Sequence, residues 1–146
     1  MNIQIACEQA RLPDQQRMAA WASVAMDAVG ETGHNEITLR VVDEAESAEL
    51  NQRYRDKPGA TNVLSFPFDD PPGVATQMLG DLVICAPVVE QQAVEQGKSL
   101  DDHWAHIIVH GVLHLRGYDH EQDGEATKME QLEKEILDQL GIPDPY

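Results

Sequence analysis

The sequence has no long apolar run, only two cysteines and few basic residues. Without an apolar run of about 18 residues, no segment is expected to span a membrane. The N-terminus lacks the basic start and apolar stretch of a signal peptide, which predicts a cytoplasmic protein. Cys7 and Cys85 lie in separate strand-like segments, and neither belongs to a Cys-x-x-Cys pair. One disulfide is possible by number, but two buried thiols in a reducing cytosol are the expected state, and a cysteine-ligated zinc site has no support.

Basic residues are scarce: 10 lysines and arginines stand against 26 acidic residues, for a net charge of −16. Such a charge repels polyanions at long range and, taken alone, argues against nucleic-acid binding, because phosphate contacts need clustered lysines and arginines. Three of the ten basic residues nevertheless fall within five positions, at Arg53, Arg55 and Lys57. This cluster is compatible with a local basic patch and equally with a solvated helix end.

Hydrophobic periodicity predicts one α/β domain over residues 1–146, a length that suits a single core. We expect a small mixed sheet of about four strands, covered by helices, one of which bears histidines and one of which is C-terminal. The fourth strand is almost continuously apolar, which places it inside the sheet. The predicted strands are 2–7, 36–42, 61–68 and 79–86, and the predicted helices are 13–29, 44–54, 87–97, 100–116 and 124–140. Ser99 and Asp102 form the predicted capping pair at the start of the fourth helix.

Three histidines near the end of the fourth predicted helix have the spacing of metal ligands. His110 and His114, at positions i and i+4, lie on one helix face and one turn apart, close enough to share a tetrahedral ion. Gly117 permits the backbone turn that ends the helix and returns His120 to the same ion. Three neutral imidazoles leave one coordination position open for water, the arrangement of a catalytic zinc site. Zinc is the preferred ion, although nickel and cobalt also suit three histidines.

Two further histidines, His103 and His106, fall within the same arc of the helix. His103 lies about 10 Å from His110 by helical rise, too far to share its ion. His106 is one turn away and could contact substrate or orient a ligand. For both residues a structural role is the favoured interpretation, and His34, in a Gly-His-Asn segment, is expected at the surface.

The histidine pattern matches the long zinc-peptidase motif His-Glu-x-x-His-x-x-Gly-x-x-His at all positions but one, where Gly111 replaces the glutamate. That glutamate is the general base of such peptidases. Phosphodiester cleavage can proceed without it, since a metal-activated water or an RNA 2′-hydroxyl can attack while cations stabilise the transition state. The residues therefore favour a metal-dependent hydrolase and lean away from a peptidase.

The segment His110-Gly-Val-Leu-His-Leu-Arg-Gly-Tyr-Asp-His120 resembles the signature of the bacterial YbeY family of rRNA maturation endoribonucleases. Two other blocks support the resemblance, in the order in which the family has them. They are Leu50-Asn-Gln-Arg-Tyr-Arg-Asp-Lys57 with Thr61-Asn-Val-Leu-Ser-Phe-Pro-Phe68, and Leu79-Gly-Asp-Leu-Val-Ile-Cys85. Together the blocks extend the resemblance over nearly the whole chain.

The resemblance implies a single-strand-specific, metal-dependent endoribonuclease that acts in 16S rRNA 3′-end maturation and ribosome quality control. It implies one Zn²⁺ per chain on His110, His114 and His120, and a functionally important arginine at Arg55. We predict that Arg55 is catalytic and that Arg55 and Lys57 bind substrate. The implied partners are the 16S rRNA precursor, the small ribosomal subunit with its proteins, and a ribosome-assembly GTPase.

Two alternatives remain open from the residues themselves. One is a metallopeptidase with an unconventional base, for which Asp81 and Asp119 are the options, and Gly111 weighs against it. The other is a non-catalytic ribosome-assembly factor whose metal only stabilises the fold, and the open coordination position weighs against that.

Overall fold

A four-stranded sheet carries the helices of the chain. The computed structural model describes residues 1–7, 11–29, 36–69, 71–74, 77–118 and 123–146. Within them the strands are β1 (Asn2–Ile5), β2 (Glu36–Val42), β3 (Val63–Pro67) and β4 (Met78–Cys85). The helices are α1 (Gln15–Val29), α2 (Glu44–Arg55), α3 (Ala86–Gln96), α4 (Leu100–Leu115) and α5 (Asp123–Gln139).

The sheet is mixed, with the strand order β1-β2-β4-β3. β1 and β4 both run parallel to β2, whereas β3 runs antiparallel to β4 and forms an edge. The predicted mixed α/β sheet of four strands is thus confirmed. The apolar β4 lies between two neighbours, as its composition predicts, because a strand buried on both faces needs no polar alternation.

The two faces of the sheet carry unequal cores. Alternate residues of β4 belong to different clusters: Leu82 and Ile84 pack with α1, α4 and α5, whereas Val83 and Cys85 pack with Leu50 of α2. The first cluster is much the larger and contains the fully buried residues of α4. The histidine-bearing helix is therefore fixed on one face of the sheet, and α2 lies on the other.

Capping sets the start and end of α4. The Ser99 hydroxyl accepts a hydrogen bond from the Asp102 amide at 3.1 Å, which is the predicted capping pair. Gly117, with φ of 92°, follows the helix and lets its amide reach the His114 carbonyl at 2.9 Å. The predicted stop after Arg116 is confirmed.

β3 covers Val63–Pro67 and is shorter than the predicted 61–68. Pairing with β4 nevertheless reaches one residue further, since the Cys85 amide donates to the Asn62 carbonyl at 2.9 Å. Side chains satisfy two other amides here: the Thr61 amide donates to the Ser47 hydroxyl at 3.0 Å, and the Val63 amide donates to the Asn62 side chain at 2.7 Å.

Both cysteines, Cys7 and Cys85, are buried free thiols, as predicted. Among the described residues, no helix has the length and apolarity needed to cross a membrane.

Candidate metal centre

Four histidines of α4 form a row along one side of the helix. Neighbouring ring centroids lie 6.1 Å apart for His103 and His106, 6.2 Å for His106 and His110, and 4.6 Å for His110 and His114. The 3.6-residue period of the helix produces this row, because spacings of three and four keep side chains on one face. The predicted shared arc of these histidines is confirmed.

His110 and His114 direct the same type of atom towards each other. Their Nε2 atoms lie 3.1 Å apart. Two nitrogen ligands of a tetrahedral zinc ion, each about 2.0–2.1 Å from it, are separated by about 3.3 Å. The pair therefore has the spacing of two imidazoles that bind one ion.

Glu133 of α5 joins this row from a second helix. Its side chain is fully buried, yet each of its carboxylate oxygens has histidine contact. Oε1 lies 2.5 Å from Nδ1 of His110, and Oε2 lies 3.2 Å from Nε2 of His106. The Tyr146 hydroxyl donates to the same Oε2. One carboxylate thus contacts two histidines of α4 and the segment after α5.

The pKa of Glu133 reflects two opposing effects. Burial is the largest and raises the pKa, because it disfavours the charged form. The hydrogen bonds from His106, His110 and Tyr146, with the charge interaction with His110, together exceed it and lower the pKa to about 2. An ionised carboxylate only accepts hydrogen bonds, so its three neighbours act as donors.

This hydrogen-bond direction fixes the histidine tautomers. With its proton on Nδ1, His110 keeps a lone pair on Nε2, the atom that faces His114. With its proton on Nε2, His106 has no lone pair on the atom that faces Glu133. Sequence reasoning favoured a structural role for His106, and in the structure it supports the carboxylate that holds His110.

His106, His110 and Glu133 also form a group that could itself hold a metal ion. One ligand atom from each lies within 4.8 Å of the other two. The 2.5 Å contact between His110 and Glu133 is a direct hydrogen bond, however, and leaves no room for an ion between these atoms. The donor chemistry is that of a metal site, with Nε2 of His110 as the better ligand atom.

His103 has a different environment. It lines a cleft of about 740 Å³ together with Gln92, His106, Tyr146 and other residues. It is 2% exposed, and its Nε2 lies 3.0 Å from the Gln92 side-chain oxygen. Burial, with smaller effects of the Lys98 and His106 charges, lowers its pKa to about 4. A neutral, buried histidine agrees with the structural role that the sequence favours.

Gly111, the position of the peptidase glutamate, faces the sheet. A Cβ atom here would lie 2.8 Å from a methyl group of Leu82 and 3.4 Å from one of Val63. The Ser65 hydroxyl donates to the Gly111 carbonyl at 3.3 Å. Glycine therefore allows α4 to approach β3 and β4 closely, a reason for its presence that the motif comparison alone did not supply.

The remaining predicted residues that the structure describes belong to elements other than α4. Arg55 is the exposed last residue of α2, and Lys57 is exposed just beyond it. Asp81 is exposed on β4 and alternates with the buried Leu82, so it lies on the face that carries α2. This position gives no support to Asp81 as a base beside the histidines.

His34, Asp119 and His120 lie outside the described residues. The predictions for them, including the third metal ligand, stay predictions. What the structure adds is the turn before His120, where Gly117 has the positive φ that the prediction requires.

Glu133 and Tyr146 were missed by sequence reasoning. Glu133 interrupts the apolar stripe of α5, between the buried residues Met129 and Ile136. A charged residue on the core-facing side of a helix requires a partner, and that signal could have drawn attention to it. Tyr146 follows Pro145, and no local pattern marks its contact.

Fold and site together define a class: a small α/β domain in which a histidine-bearing helix, supported by a buried carboxylate, has the donor chemistry of a metal site. Residues 2–141 match the family described as endoribonuclease YbeY, and the chain belongs to that family. It is accordingly an rRNA-processing endoribonuclease.

A solved structure supports the fold independently. The chain is similar to TM1509 from Thermotoga maritima, known from a solution structure, with a TM-score of 0.55 and 23% identity. The match covers 98% of this chain and 97% of that one, so the likeness extends over the whole domain.

Proposed function

We propose that this chain is a zinc-dependent, single-strand-specific endoribonuclease that acts in 16S rRNA 3′-end maturation and ribosome quality control. The observation that carries the proposal is the facing pair of Nε2 atoms on His110 and His114, 3.1 Å apart, in a chain of an endoribonuclease family. His120 would supply the third ligand.

The residues fit a metal ion of the zinc type. Imidazole nitrogens suit zinc, and the i, i+4 pair meets its geometry. The carboxylate on the outer nitrogen of His110 is the partner that metal-bound histidines usually have. A bound divalent ion would supply Lewis-acid activation of a water molecule and charge stabilisation at the scissile phosphate.

Arg55 and Lys57 would bind the phosphate backbone. α2 ends at Arg55, where Asp56 adopts the left-handed conformation and turns the chain, and both basic side chains are exposed. A guanidinium holds a phosphate with two parallel hydrogen bonds and keeps its charge at any working pH. Because α2 lies across the sheet from α4, an RNA strand that contacts Arg55 and the histidines would pass the open edge at β3.

The acidity of the chain supports targeting by protein partners. A net charge of −16 disfavours long-range attraction to RNA but favours basic surfaces. We therefore propose docking on proteins of the small ribosomal subunit, together with an assembly GTPase, in the cytoplasm. The basic residues at the end of α2 would then contact RNA only after docking.

The experiment compares metal-replete protein with the His114→Ala variant on three substrates: single-stranded RNA, duplex RNA and casein. We expect cleavage of single-stranded RNA alone, which a chelator abolishes, zinc restores and His114→Ala lacks. Cleavage that survives both the chelator and the substitution would contradict the proposal.

The two alternatives give different results in the same experiment. Chelator-sensitive cleavage of casein would identify a metallopeptidase despite Gly111. Bound zinc that raises the melting temperature, without cleavage of any substrate, would identify a non-catalytic assembly factor.

A further inference from the structure

We propose that Glu133 is a positioning residue, which holds His110 in the tautomer and orientation that a metal ion requires, and that the Tyr146 hydroxyl fixes this carboxylate in turn. The inference rests on the metal-dependent function proposed above. It adds two residues, from α5 and the segment after it, to the three histidines of that site.

Glu133 and His110 are joined by a direct hydrogen bond. Their Oε1 and Nδ1 atoms lie 2.5 Å apart, a separation that holds a proton but no metal ion. The proton belongs to Nδ1, so the lone pair of the ring is on Nε2, opposite His114. Without this bond the imidazole could place its proton on Nε2 and lose its affinity for the ion.

Glu133 is packed in the protein interior. The side chain is fully buried, so the ring of His110 is held by a group that cannot swing into solvent. Its other oxygen accepts from His106 and from Tyr146. A buried carboxylate requires such donors, and three of them are supplied here.

Tyr146 and the residue before it contact several other elements. Its ring meets His106 edge-on at 5.5 Å between centroids, and Nζ of Lys134 lies 5.8 Å from the ring centroid. Nζ of Lys98 donates to the Pro145 carbonyl at 3.1 Å. Residues of α4, of α5 and of the connection between α3 and α4 therefore hold the segment that carries Tyr146, although the tyrosine itself is 57% exposed. Its hydroxyl thus has a fixed position relative to Glu133.

The test is the affinity for Zn²⁺, measured by competition with a chromophoric chelator. Glu133→Gln should weaken zinc binding about 10- to 100-fold, the usual effect of removing such a partner of a metal-bound histidine. Glutamine has the same shape, but it cannot accept from His110, His106 and Tyr146 at once. Tyr146→Phe should weaken binding less, by several-fold, since it removes one of three donors.

Glu135→Gln is the matched control. Glu135 lies on the same helix, exposed, and pairs only with the Gln131 side chain at 3.1 Å among the described contacts. The same change of charge there should leave zinc affinity unaltered. An equal loss in Glu135→Gln would show that overall charge, and not positioning, sets the affinity, and it would overturn the inference.

A second measurement separates positioning from stability. Imidazole ¹⁵N spectra of the metal-free protein, recorded above the ordinary histidine pKa, report which nitrogen of His110 is protonated. We expect Nδ1–H in the native chain and in Glu135→Gln, and a mixture in Glu133→Gln. If Glu133→Gln does not fold, Tyr146→Phe decides, because it removes only a hydroxyl from a half-exposed ring.

The outcomes distinguish this inference from the proposed function. Native zinc affinity in both Glu133→Gln and Tyr146→Phe would overturn the positioning role and leave the metal site standing. A native protein that binds no zinc would overturn both. Weakened zinc binding together with absent RNA cleavage would support the positioning role and contradict the proposed reaction.

Discussion

Nε2 of His110 and Nε2 of His114 face each other at 3.1 Å, one helical turn apart on α4. A zinc ion that bound both would hold them about 3.3 Å apart, so binding needs little movement of either ring. Each ring is only partly buried among the described residues. The relationship makes these two residues the basis of the predictions about metal.

Purified protein should contain about one zinc ion per chain. His110→Ala, His114→Ala and His120→Ala should each lose most of it, since removal of one of three protein ligands leaves an incomplete site. Elemental analysis after dialysis measures the occupancy. Full occupancy in His120→Ala would show that the turn at Gly117 does not deliver that ligand.

His106→Ala serves to distinguish the two ligand sets. If His110 binds through Nε2, this variant keeps its zinc with only moderately reduced affinity. Loss of zinc in His106→Ala with retention in His114→Ala would instead assign the ion to the His106, His110 and Glu133 group.

Gly111→Ala should destabilise the protein by about 1 kcal/mol. The new Cβ would lie 2.8 Å from a methyl group of Leu82, and such overpacking costs about 1–3 kcal/mol. The better helix propensity of alanine offsets about 1 kcal/mol of this cost. Urea unfolding of the metal-free protein measures the change.

Gly124→Ala is the control for this effect, because the added Cβ there meets nothing within 4 Å among the residues that the structure describes. It should be neutral or stabilise the protein by up to about 1 kcal/mol. Equal free energies of unfolding for the two variants would contradict close packing at Gly111.

Arg55→Ala should keep the fold and the metal but lose roughly 10²-fold or more in RNA cleavage, the scale of one lost transition-state donor. Arg55→Lys should recover only part of the activity, because a point charge cannot replace the planar fork. Single-turnover cleavage of a single-stranded RNA measures both.

Arg53→Ala is the matched control, two residues earlier on α2. Its guanidinium pairs with Glu49 at 3.0 Å, and both side chains are exposed, so the pair contributes well under about 1 kcal/mol. Cleavage by Arg53→Ala should stay close to native. Undiminished cleavage by Arg55→Ala would remove Arg55 from the active site.

His103 should make the metal-free protein less stable in mild acid. Its pKa falls from an ordinary 6.5 to about 4 in the folded state, so the unfolded chain binds the proton more readily. The stability that neutral His103 contributes is fully present above the pKa of this histidine in the unfolded chain, and it is lost as the pH falls towards 4. Between about pH 7.5 and pH 5 the loss amounts to about 2 kcal/mol.

Urea unfolding at the two pH values, compared between the native chain and His103→Gln, isolates this contribution. Glutamine does not titrate and can still bond to Gln92. The same pH dependence in both proteins would assign the effect to other groups.

Much of the fold could be predicted from the sequence, because it follows from local periodicity and capping. β2 matches its predicted bounds, and α4 begins at the predicted Ser99 cap. The boundaries of β1 and β3 could not be predicted, since they depend on partners elsewhere. The Ala6 amide still donates to the Val41 carbonyl at 2.8 Å beyond the end of β1, and the Cys85 amide donates to the Asn62 carbonyl at 2.9 Å before the start of β3.

The row of histidines on one helix face follows from the sequence alone, because a helical period of 3.6 residues needs no tertiary information. The tertiary structure alone decided which nitrogen of His110 faces its neighbour. That depends on Glu133, 23 residues away on another helix, and on Tyr146 beyond it. It also decided that Gly111 faces the sheet and that α2, which ends at Arg55, lies on the opposite face from α4. Such relationships arise from the packing of helices and strands against one another, and they cannot be inferred from the spacing of residues along the chain.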